Sequence, residues 1–203
     1  YNPAYYVPFF ENYGFKTYYE QFIYHRSTTD ELIPLLKEKS ERIRQDKRFT
    51  FDTIKKNNLE KYAEDFRAIY NRAWVKHEGF GGMEQRQAMT IMKTIKPILD
   101  EDLILFAYHD GRPVGFFIAL PEINQIFKHI HGNLNWWGKL KFVYHKWKGT
   151  CTTFFGLAFG IDPDFQGKGL EGAIFDECKK IVNRKNKYED VVITWIGAVS
   201  YTH

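Results

Sequence analysis

Apolar residues recur along the chain with two different spacings, and each spacing predicts one kind of element. Between Leu59 and Ala73 they recur every three or four positions, which predicts a helix over 57–73. The same spacing predicts further helices over 84–99 and 170–182. Short runs rich in β-branched and aromatic residues predict strands at 16–26, 48–54, 151–162 and 190–196.

Turn residues mark the ends of several elements. Asp110 and Gly111 separate two apolar runs, which predicts a hairpin of two strands over 102–124. A short aromatic helix is predicted near the N-terminus, and Gly14 is suited to end it because glycine tolerates the left-handed conformation of a helix cap. The elements therefore alternate between helices and strands, which is typical of an α/β or α+β protein.

Residues 30–47 are mostly charged, with few apolar positions, and predict a connecting helix that faces solvent. Pro34 falls in its first turn, where proline is tolerated. Composition supports a folded protein, because 44 % of the 203 residues are hydrophobic and 27 % are charged. The sequence contains neither a signal segment nor an apolar stretch long enough to cross a bilayer, and we therefore expect a cytoplasmic protein.

The only two cysteines, Cys151 and Cys178, have a spacing that matches no zinc motif. Cys178 falls on the apolar side of a predicted helix. We expect both to be reduced, structural thiols. His129 and His131 are two residues apart, which is a poor spacing for one helix face, and we expect no metal site.

Positive charge is concentrated in one basic, aromatic segment, residues 125–148, which is predicted to form one or two short helices. No acidic residue lies between Glu122 and Asp162, and this interval contains five lysines. One interpretation is a surface helix whose aromatic residues face the sheet while its lysines face water. The alternative is a surface that binds an acidic substrate, an anionic lipid or nucleic acid. Nucleic acid is the weakest of these, because the charge is local and modest.

A glycine-rich stretch, FGIDPDFQGKGLEGAIF at 159–175, joins a predicted strand to a predicted helix. The first N–H groups of a helix lack intrahelical partners and attract anions, and glycine lets a phosphate approach them closely. The spacing matches neither the Walker motif nor the dinucleotide-binding motif. From the residues alone, a phosphate site and a tightly packed helix start remain equally open.

This stretch resembles the acyl-CoA loop of the GNAT acyltransferase superfamily, Gln/Arg-x-x-Gly-x-Gly/Ala. Gln166, Gly169 and the preceding Ile-Asp-Pro are in register with it, and the order of elements over 48–197 is similar. The resemblance implies a mixed, mostly antiparallel central sheet flanked by helices. It also implies an acyl-CoA-dependent N-acyltransferase, with acetyl-CoA as the expected co-substrate and an amine of a small molecule or peptide as the acceptor.

The resemblance further implies which residues hold the cofactor. The loop amides would bind the CoA pyrophosphate, and the end of the preceding strand would pair with the pantetheine arm. Gly169 would let the pyrophosphate approach the backbone closely. Glu171 departs from the pattern, which has Gly or Ala at this position, and a carboxylate beside a pyrophosphate is unfavourable. The implied cofactor-binding residues are Phe159, Gly160, Ile161, Gln166, Gly167, Lys168, Gly169, Leu170, Glu171 and Gly172.

The first residues resemble the same superfamily a second time. Residues 1–26 are similar to its closing helix and strand. Phe10 stands where that superfamily commonly has a tyrosine that protonates the departing thiolate. The resemblance implies part of a bacterial tandem protein: a closing piece at 1–26, a linker helix at 27–47 and a GNAT-like domain at 48–197. That domain would lack its last helix and strands, and 198–203 match no pattern. Alternatively, residues 1–26 fold back and close the second unit.

Acyl transfer to an amine needs a base, a donor for the oxyanion and an acid for the thiolate. The strand at 152–161 contains no carboxylate, so the candidates come from elsewhere: His77 and Glu78 after the first helix of the domain, Glu122 at the end of the hairpin, and Thr194 on the last strand. The alternative function is a non-catalytic interaction module on the same fold. The sequence predicts no oligomeric state.

Overall fold

A computed structural model describes residues 3–74 and 81–197 of the chain. The helices in these residues are α1 (Tyr6–Asn12), α2 (Pro34–Gln45), α3 (Leu59–Trp74), α4 (Gln85–Ile95), α5 (Asn124–Ile130), α6 (Trp136–Trp147) and α7 (Leu170–Lys185). The strands are β1 (Gln21–Ser27), β2 (Phe49–Thr53), β3 (Ile104–His109), β4 (Arg112–Pro121), β5 (Thr153–Ile161) and β6 (Asp190–Gly197).

The strands of the described residues form one sheet in the order β1-β6-β5-β4-β3-β2. Only β5 and β6 run parallel, and the other neighbours are antiparallel. Asp110 and Gly111 join β3 to β4 with φ angles of 49° and 77°, which is the left-handed pair that a tight hairpin requires. The predicted hairpin and the predicted mixed, mostly antiparallel sheet are confirmed.

Helices cover both faces of this sheet because its central strands are apolar on both sides. Ile104, Phe106 and Phe116 pack with α3 and α4 on one face. Leu105 and Phe117, on the alternate positions of the same strands, pack with α7 on the other. No helix among the described residues is long and apolar enough to cross a membrane.

Some predicted elements end where the sequence placed them and others do not. Helix α4 ends at Ile95 rather than 99, because Pro97 cannot continue the helix. Strand β1 begins at Gln21 rather than 16, and its pairing with β6 begins at the same residue. Helix α1 ends at Asn12, and Gly14 follows with the expected positive φ of 102°.

The expectation that the helix at 30–47 faces solvent is wrong for one side of α2. This helix packs against α7, and Arg44 forms ion pairs of 2.9 Å with both Asp176 and Glu177. The buried Ser40 hydroxyl donates a hydrogen bond to Asp176. Ser40, Ile43 and Arg44 share one helix face, so a charged sequence still presents a side that fits α7.

The interpretation in which the aromatic residues of 125–148 face the sheet is wrong for the tryptophans of this segment, although Phe142 does pack against the core. Helices α5 and α6 form there as predicted, but Trp136, Trp137 and Trp147 are 68 %, 69 % and 84 % exposed. Only Gly138, Phe142 and His145 of α6 are buried or half-buried.

Both cysteines are free and buried, as predicted, and burial raises the pKa of Cys178 to about 12.

Strand β1 pairs with β6 from Gln21 opposite Gly197 to Ser27 opposite Asp190. Strand β1 therefore occupies an edge of the same sheet as β2 to β6. This pairing is the one expected if residues 1–26 fold back onto the domain at 48–197. The division of the chain into a preceding piece, a linker and a second domain stays a prediction.

Candidate functional site

A gap opens between β5 and β6 halfway along the two strands. Their parallel pairing runs from Thr153 opposite Asp190 to Gly156 opposite Ile193, and no further pair follows. Beyond this point β5 stays paired with β4 as far as Ile161, while β6 stays paired with β1. We call the space between 157–161 and 194–197 the strand gap. Its β5 side presents backbone groups that have no strand partner on the β6 side.

A β-bulge marks the point where the strands part. Ala158 pairs with Ile118 and Gly156 with Ala119, so Leu157 has no partner on β4. Leu157 is 48 % exposed. On the opposite side, the Thr194 hydroxyl donates a hydrogen bond of 3.3 Å to the Gly156 carbonyl. Bulges redirect backbone groups and are frequent beside functional sites.

The loop that leaves β5 is held by its own side chains. The side-chain amide of Gln166 donates a hydrogen bond of 3.0 Å to the carbonyl of Ile161, the last residue of β5. Gly167 and Gly169 have φ angles of 71° and 99°, which residues with a side chain rarely adopt. Helix α7 then begins at Leu170, with Gly169 as its N-cap and no side-chain cap. The loop therefore presents a helix N-terminus next to the strand gap.

The Glu171 carboxylate occupies one amide of this loop. Its Oε1 accepts a hydrogen bond of 3.0 Å from the Gly167 N–H. This amide belongs to the group that the resemblance assigns to a pyrophosphate. Because both carboxylate and phosphate oxygens accept hydrogen bonds from backbone N–H groups, they would compete for the same donor.

Close packing against α2 requires glycine at two positions, Gly169 in the loop and Gly172 in the first turn of α7. A Cβ atom added to Gly169 would lie 2.5 Å from Lys39 Cβ, and one added to Gly172 would lie 2.6 Å from the Leu36 carbonyl oxygen. Both contacts are with α2, so these glycines let α2 approach the first turn of α7. Close packing of the helix start is thus present, whereas a contact of Gly169 with pyrophosphate stays a prediction.

The cofactor residues implied by the resemblance differ in their exposure. They lie together along the end of β5, the loop and the first turn of α7, and their role in binding stays a prediction. Gly160 is buried against Phe116 and Trp74, whose ring atoms would lie 2.8 Å from an added Cβ. Exposed members are Gln166, Gly167 and Lys168, half-buried members are Phe159 and Glu171, and buried members are Gly160, Ile161, Gly169, Leu170 and Gly172.

An ion-pair cluster around the buried Asp162, at the end of β5, was not predicted from the sequence. Asp162 is 2 % exposed and lies 2.6 Å from Arg72 Nε and 2.5 Å from Arg112 Nη2. Burial acts to raise the pKa of Asp162, but the hydrogen bond from Arg112, the amide of Asp164 and the charge of Arg72 outweigh it and lower the pKa. Arg72 and Arg112 come from α3 and β4, so no local sequence pattern links them to the loop.

The two predicted catalytic residues that the structure describes, Thr194 and Glu122, do not meet at one point. Thr194 lies at the start of the strand gap. Glu122 lies beyond the other end of the β4–β5 pairing, and its carboxylate accepts a hydrogen bond of 3.0 Å from the Asn124 amide at the start of α5. His77 and Glu78 lie outside the described residues. No group of three or more His, Cys, Asp or Glu in the described ranges is arranged to hold a metal ion.

An apolar cavity of about 220 Å³ lies between α7 and the sheet, on the face that also packs α2. Ile193, the last β6 residue paired with β5, lines it. Phe175 also lines it and stacks on Phe159 of the strand gap, with ring centroids 5.0 Å apart. The cavity therefore adjoins the strand gap through an aromatic contact. Its other lining residues include Phe117, Phe154, Cys178, Val182 and Val191.

Two known proteins are similar in sequence to part of this chain. No protein-family model matches the chain. Protein YghO of Escherichia coli (strain K12) is 28 % identical over 118 residues, which cover 56 % of this chain and 30 % of that protein. The bacterial ceramide synthase of Caulobacter vibrioides (strain NA1000 / CB15N) is 28 % identical over 99 residues, which cover 48 % of this chain and 26 % of that protein. The chain thus spans less than a third of either relative.

The crystal structure of a GCN5-related N-acetyltransferase from Sphaerobacter thermophilus matches over 97 % of this chain and 48 % of its own, with a TM-score of 0.58 and 14 % identity. At this identity the likeness shows the fold. The chain therefore has the GNAT fold that the glycine-rich stretch predicts.

Proposed function

We propose that this chain, which has the fold of the GCN5-related N-acetyltransferases, is an acyl-CoA-dependent N-acyltransferase. The observation that carries the proposal is the strand gap, which opens between β5 and β6 beside the uncapped N-terminus of α7. An extended thioester arm can add to the free edge of β5, while the helix N-terminus attracts the phosphates at the other end of the cofactor.

In the proposed reaction the neutral amine nitrogen of the acceptor attacks the thioester carbon, the C–N bond forms and the C–S bond breaks. The proton that the nitrogen loses passes through solvent to the departing CoA thiolate. The chain contributes mainly by positioning the two reactants, which can supply a large part of the rate. Backbone N–H groups at the Leu157 bulge are candidates to stabilise the oxyanion. Thr194 is proposed as a group that positions the strand at this point. The acceptor is an amine of a small molecule or peptide.

Calorimetry with acetyl-CoA tests the proposal directly. Binding with one site per chain, and loss of that binding in a competition with desulfo-CoA, would support an acyl-CoA site. Absence of any heat at millimolar acetyl-CoA and at millimolar octanoyl-CoA would overturn it.

A specific contact favours a second candidate, a non-catalytic module on the same fold. The Glu171 carboxylate already accepts a hydrogen bond from Gly167, so the chain carries its own anion at the loop. If this contact excludes CoA, the wild-type chain will not bind the cofactor but the Glu171→Gly variant will. Binding by the wild-type chain would remove this candidate.

The apolar cavity favours an acyl chain longer than acetyl. Its volume of about 220 Å³ is roughly seven times the ~30 Å³ that one water molecule occupies in the liquid. Most of its surface is apolar, although Arg26, Asp30 and Lys179 also line it. An alkyl chain that leaves the strand gap past Phe159 would enter it. We therefore propose that octanoyl-CoA binds more tightly than acetyl-CoA.

Val191→Phe tests this proposal, because Val191 lines the cavity and a phenyl ring would fill part of it. We expect the affinity for octanoyl-CoA to fall about tenfold while that for acetyl-CoA is unchanged. Val192→Phe is the matched control, since consecutive residues of a strand point to opposite faces. Equal loss for both CoA esters, or an equal effect of the control, would contradict the assignment of the cavity to the acyl chain.

A further inference from the structure

Helix α6 turns a continuous apolar face to solvent. Its six large exposed residues, which we call the α6 outer face, are Trp136, Trp137, Leu140, Val143, Tyr144 and Trp147. Because an α-helix turns about 100° per residue, positions 136, 140, 143, 144 and 147 form one stripe. A single exposed apolar residue needs no explanation, but a contiguous stripe of this kind marks an interaction surface.

The opposite side of α6 fixes the helix in this orientation. Phe142 packs on Phe127 of α5, with ring centroids 5.8 Å apart. His145 stacks on His129 of α5 at 4.4 Å and bonds to the Thr150 hydroxyl at 3.1 Å. The Asn135 side chain caps the helix by accepting a hydrogen bond from the Gly138 amide. The outer face therefore points outward because the inner face is already occupied.

Lysines flank the outer face on both sides. By the same rotation per residue, Lys139 and Lys146 lie along one border, and Lys141 and Lys148 lie along the other. Lys146 donates a hydrogen bond to the Pro97 carbonyl, whereas Lys139, Lys141 and Lys148 are exposed. No acidic residue lies anywhere between 123 and 161. The surface is thus apolar at its centre and positive at its borders.

We propose that the α6 outer face binds the surface of an anionic phospholipid bilayer. Tryptophan and tyrosine favour the boundary between headgroups and acyl chains, and lysines beside them reach the phosphates. Leu140 and Val143 lie in the middle of the stripe and gain from burial in hydrocarbon. They offer no ring on which a nucleic-acid base could stack, which favours a bilayer over single-stranded nucleic acid. This proposal stands independently of acyl-CoA binding.

Co-sedimentation of the whole chain with vesicles tests the proposal. We expect binding to vesicles of phosphatidylglycerol and phosphatidylcholine, weak binding to phosphatidylcholine alone, and quenching of tryptophan fluorescence by lipids with brominated acyl chains. The double variant Trp136→Ser/Trp147→Ser should weaken partitioning by at least about tenfold, because it removes two large apolar side chains. Lys139→Gln/Lys141→Gln should weaken it about fivefold per lysine at low salt.

Two matched variants separate this surface from general adhesion. Phe9→Ser/Tyr13→Ser removes aromatic residues of comparable exposure, 63 % and 84 %, from the region of α1, where no lysine lies between Tyr6 and Asn12. Lys37→Gln/Lys47→Gln removes the same charge elsewhere on the surface. We expect vesicle binding to be unchanged in both.

Three results would overturn the proposal. The first is no binding to anionic vesicles, and the second is an equal loss of vesicle binding in either control variant. The third is binding to an oligothymidylate that the α6 variants abolish, together with no binding to vesicles. The exposed positions should tolerate the substitutions, and a thermal melt of each variant checks that it is folded. Acetyl-CoA calorimetry should be the same for wild type and α6 variants, so failure of this proposal is distinguishable from failure of the proposed function.

Discussion

Glu171 is the residue whose contact bears most directly on cofactor affinity. Its carboxylate bonds to the Gly167 amide, where it competes with any phosphate and repels it. For Glu171→Gly we expect acetyl-CoA to bind about fivefold more tightly, which corresponds to ~1 kcal/mol for a partly solvated charge. The gain should shrink as salt increases. The variant should also melt lower, since glycine in a first helical turn costs about 1 kcal/mol.

Glu171→Gln is the control for this effect, because it keeps a hydrogen-bond acceptor and removes the charge. We expect an intermediate gain in affinity with little loss in melting temperature. Calorimetry at low and high salt gives both affinities. An affinity of Glu171→Gly that is equal to or below wild type at low salt would show that Glu171 does not oppose the cofactor.

Asp162 is the second residue with a sharply defined role. Its buried carboxylate lies between Arg72 and Arg112, so Asp162→Asn removes the nearest counter-charge of both guanidinium groups. Because both arginine side chains are partly exposed and stay solvated, we expect the free energy of unfolding to fall by about 1–2 kcal/mol, measured by urea denaturation. Asp164→Asn is the control: this carboxylate is 76 % exposed and 3.7 Å from Arg112, and its loss should cost less than about 0.5 kcal/mol. Equal effects would contradict the account.

The same carboxyl group gives the stability a pH dependence. Its pKa is lower in the folded chain than the usual 3.8, so the unfolded chain binds a proton more readily. The stabilisation is therefore complete above about pH 3.8 and is lost as the pH falls through the folded-state pKa. As the pH falls from about 3.8 through the folded-state pKa, the free energy of unfolding should decrease less for Asp162→Asn than for wild type.

At the scale of elements, the contact between α2 and α7 depends on a glycine. An added side chain at Gly172 would meet the backbone of Leu36, which cannot move without shifting α2. Valine and glycine differ by only a few tenths of a kcal/mol in helix propensity, so the clash decides the outcome. We expect Gly172→Val to lower the free energy of unfolding by about 2 kcal/mol.

Gly81→Val provides the comparison for this substitution. No atom of residues 3–74 and 83–197 that the structure describes lies within 4 Å of a Cβ added to Gly81, and its φ is not in the left-handed region. Thermal melts of the two variants should therefore differ clearly. Similar melting temperatures would mean that α2 does not pack on α7 as described.

The elements themselves were predictable where local signals were strong. The hairpin at Asp110 and Gly111 and the helix from Leu59 rest on turn chemistry and periodicity, which act within a few residues. The orientation of α6 was not predictable in this way, because aromatic residues occur on both of its sides. Phe142 faces α5 while Trp147 faces solvent, and only the tertiary contacts decide between them.

At the scale of the whole molecule, the sequence predicted the fold through one short loop and left the pairing of β1 open. Gln21 pairs with Gly197, a contact across almost the whole chain that no local pattern encodes. The candidate site shows the same division. Gln166 and Gly169 follow a recognisable motif, whereas Arg72 and Arg112 reach Asp162 only through the folded sheet.

The central claim is that acyl-CoA lies in the strand gap with its phosphates at the start of α7. Backbone amide chemical shifts of isotope-labelled protein, followed by nuclear magnetic resonance during titration with acetyl-CoA, locate the cofactor residue by residue. We expect the largest shifts at 157–161, Gly167 and Gly169, with no change over 136–147. Shifts confined to other elements, or none at saturating acetyl-CoA, would contradict the claim.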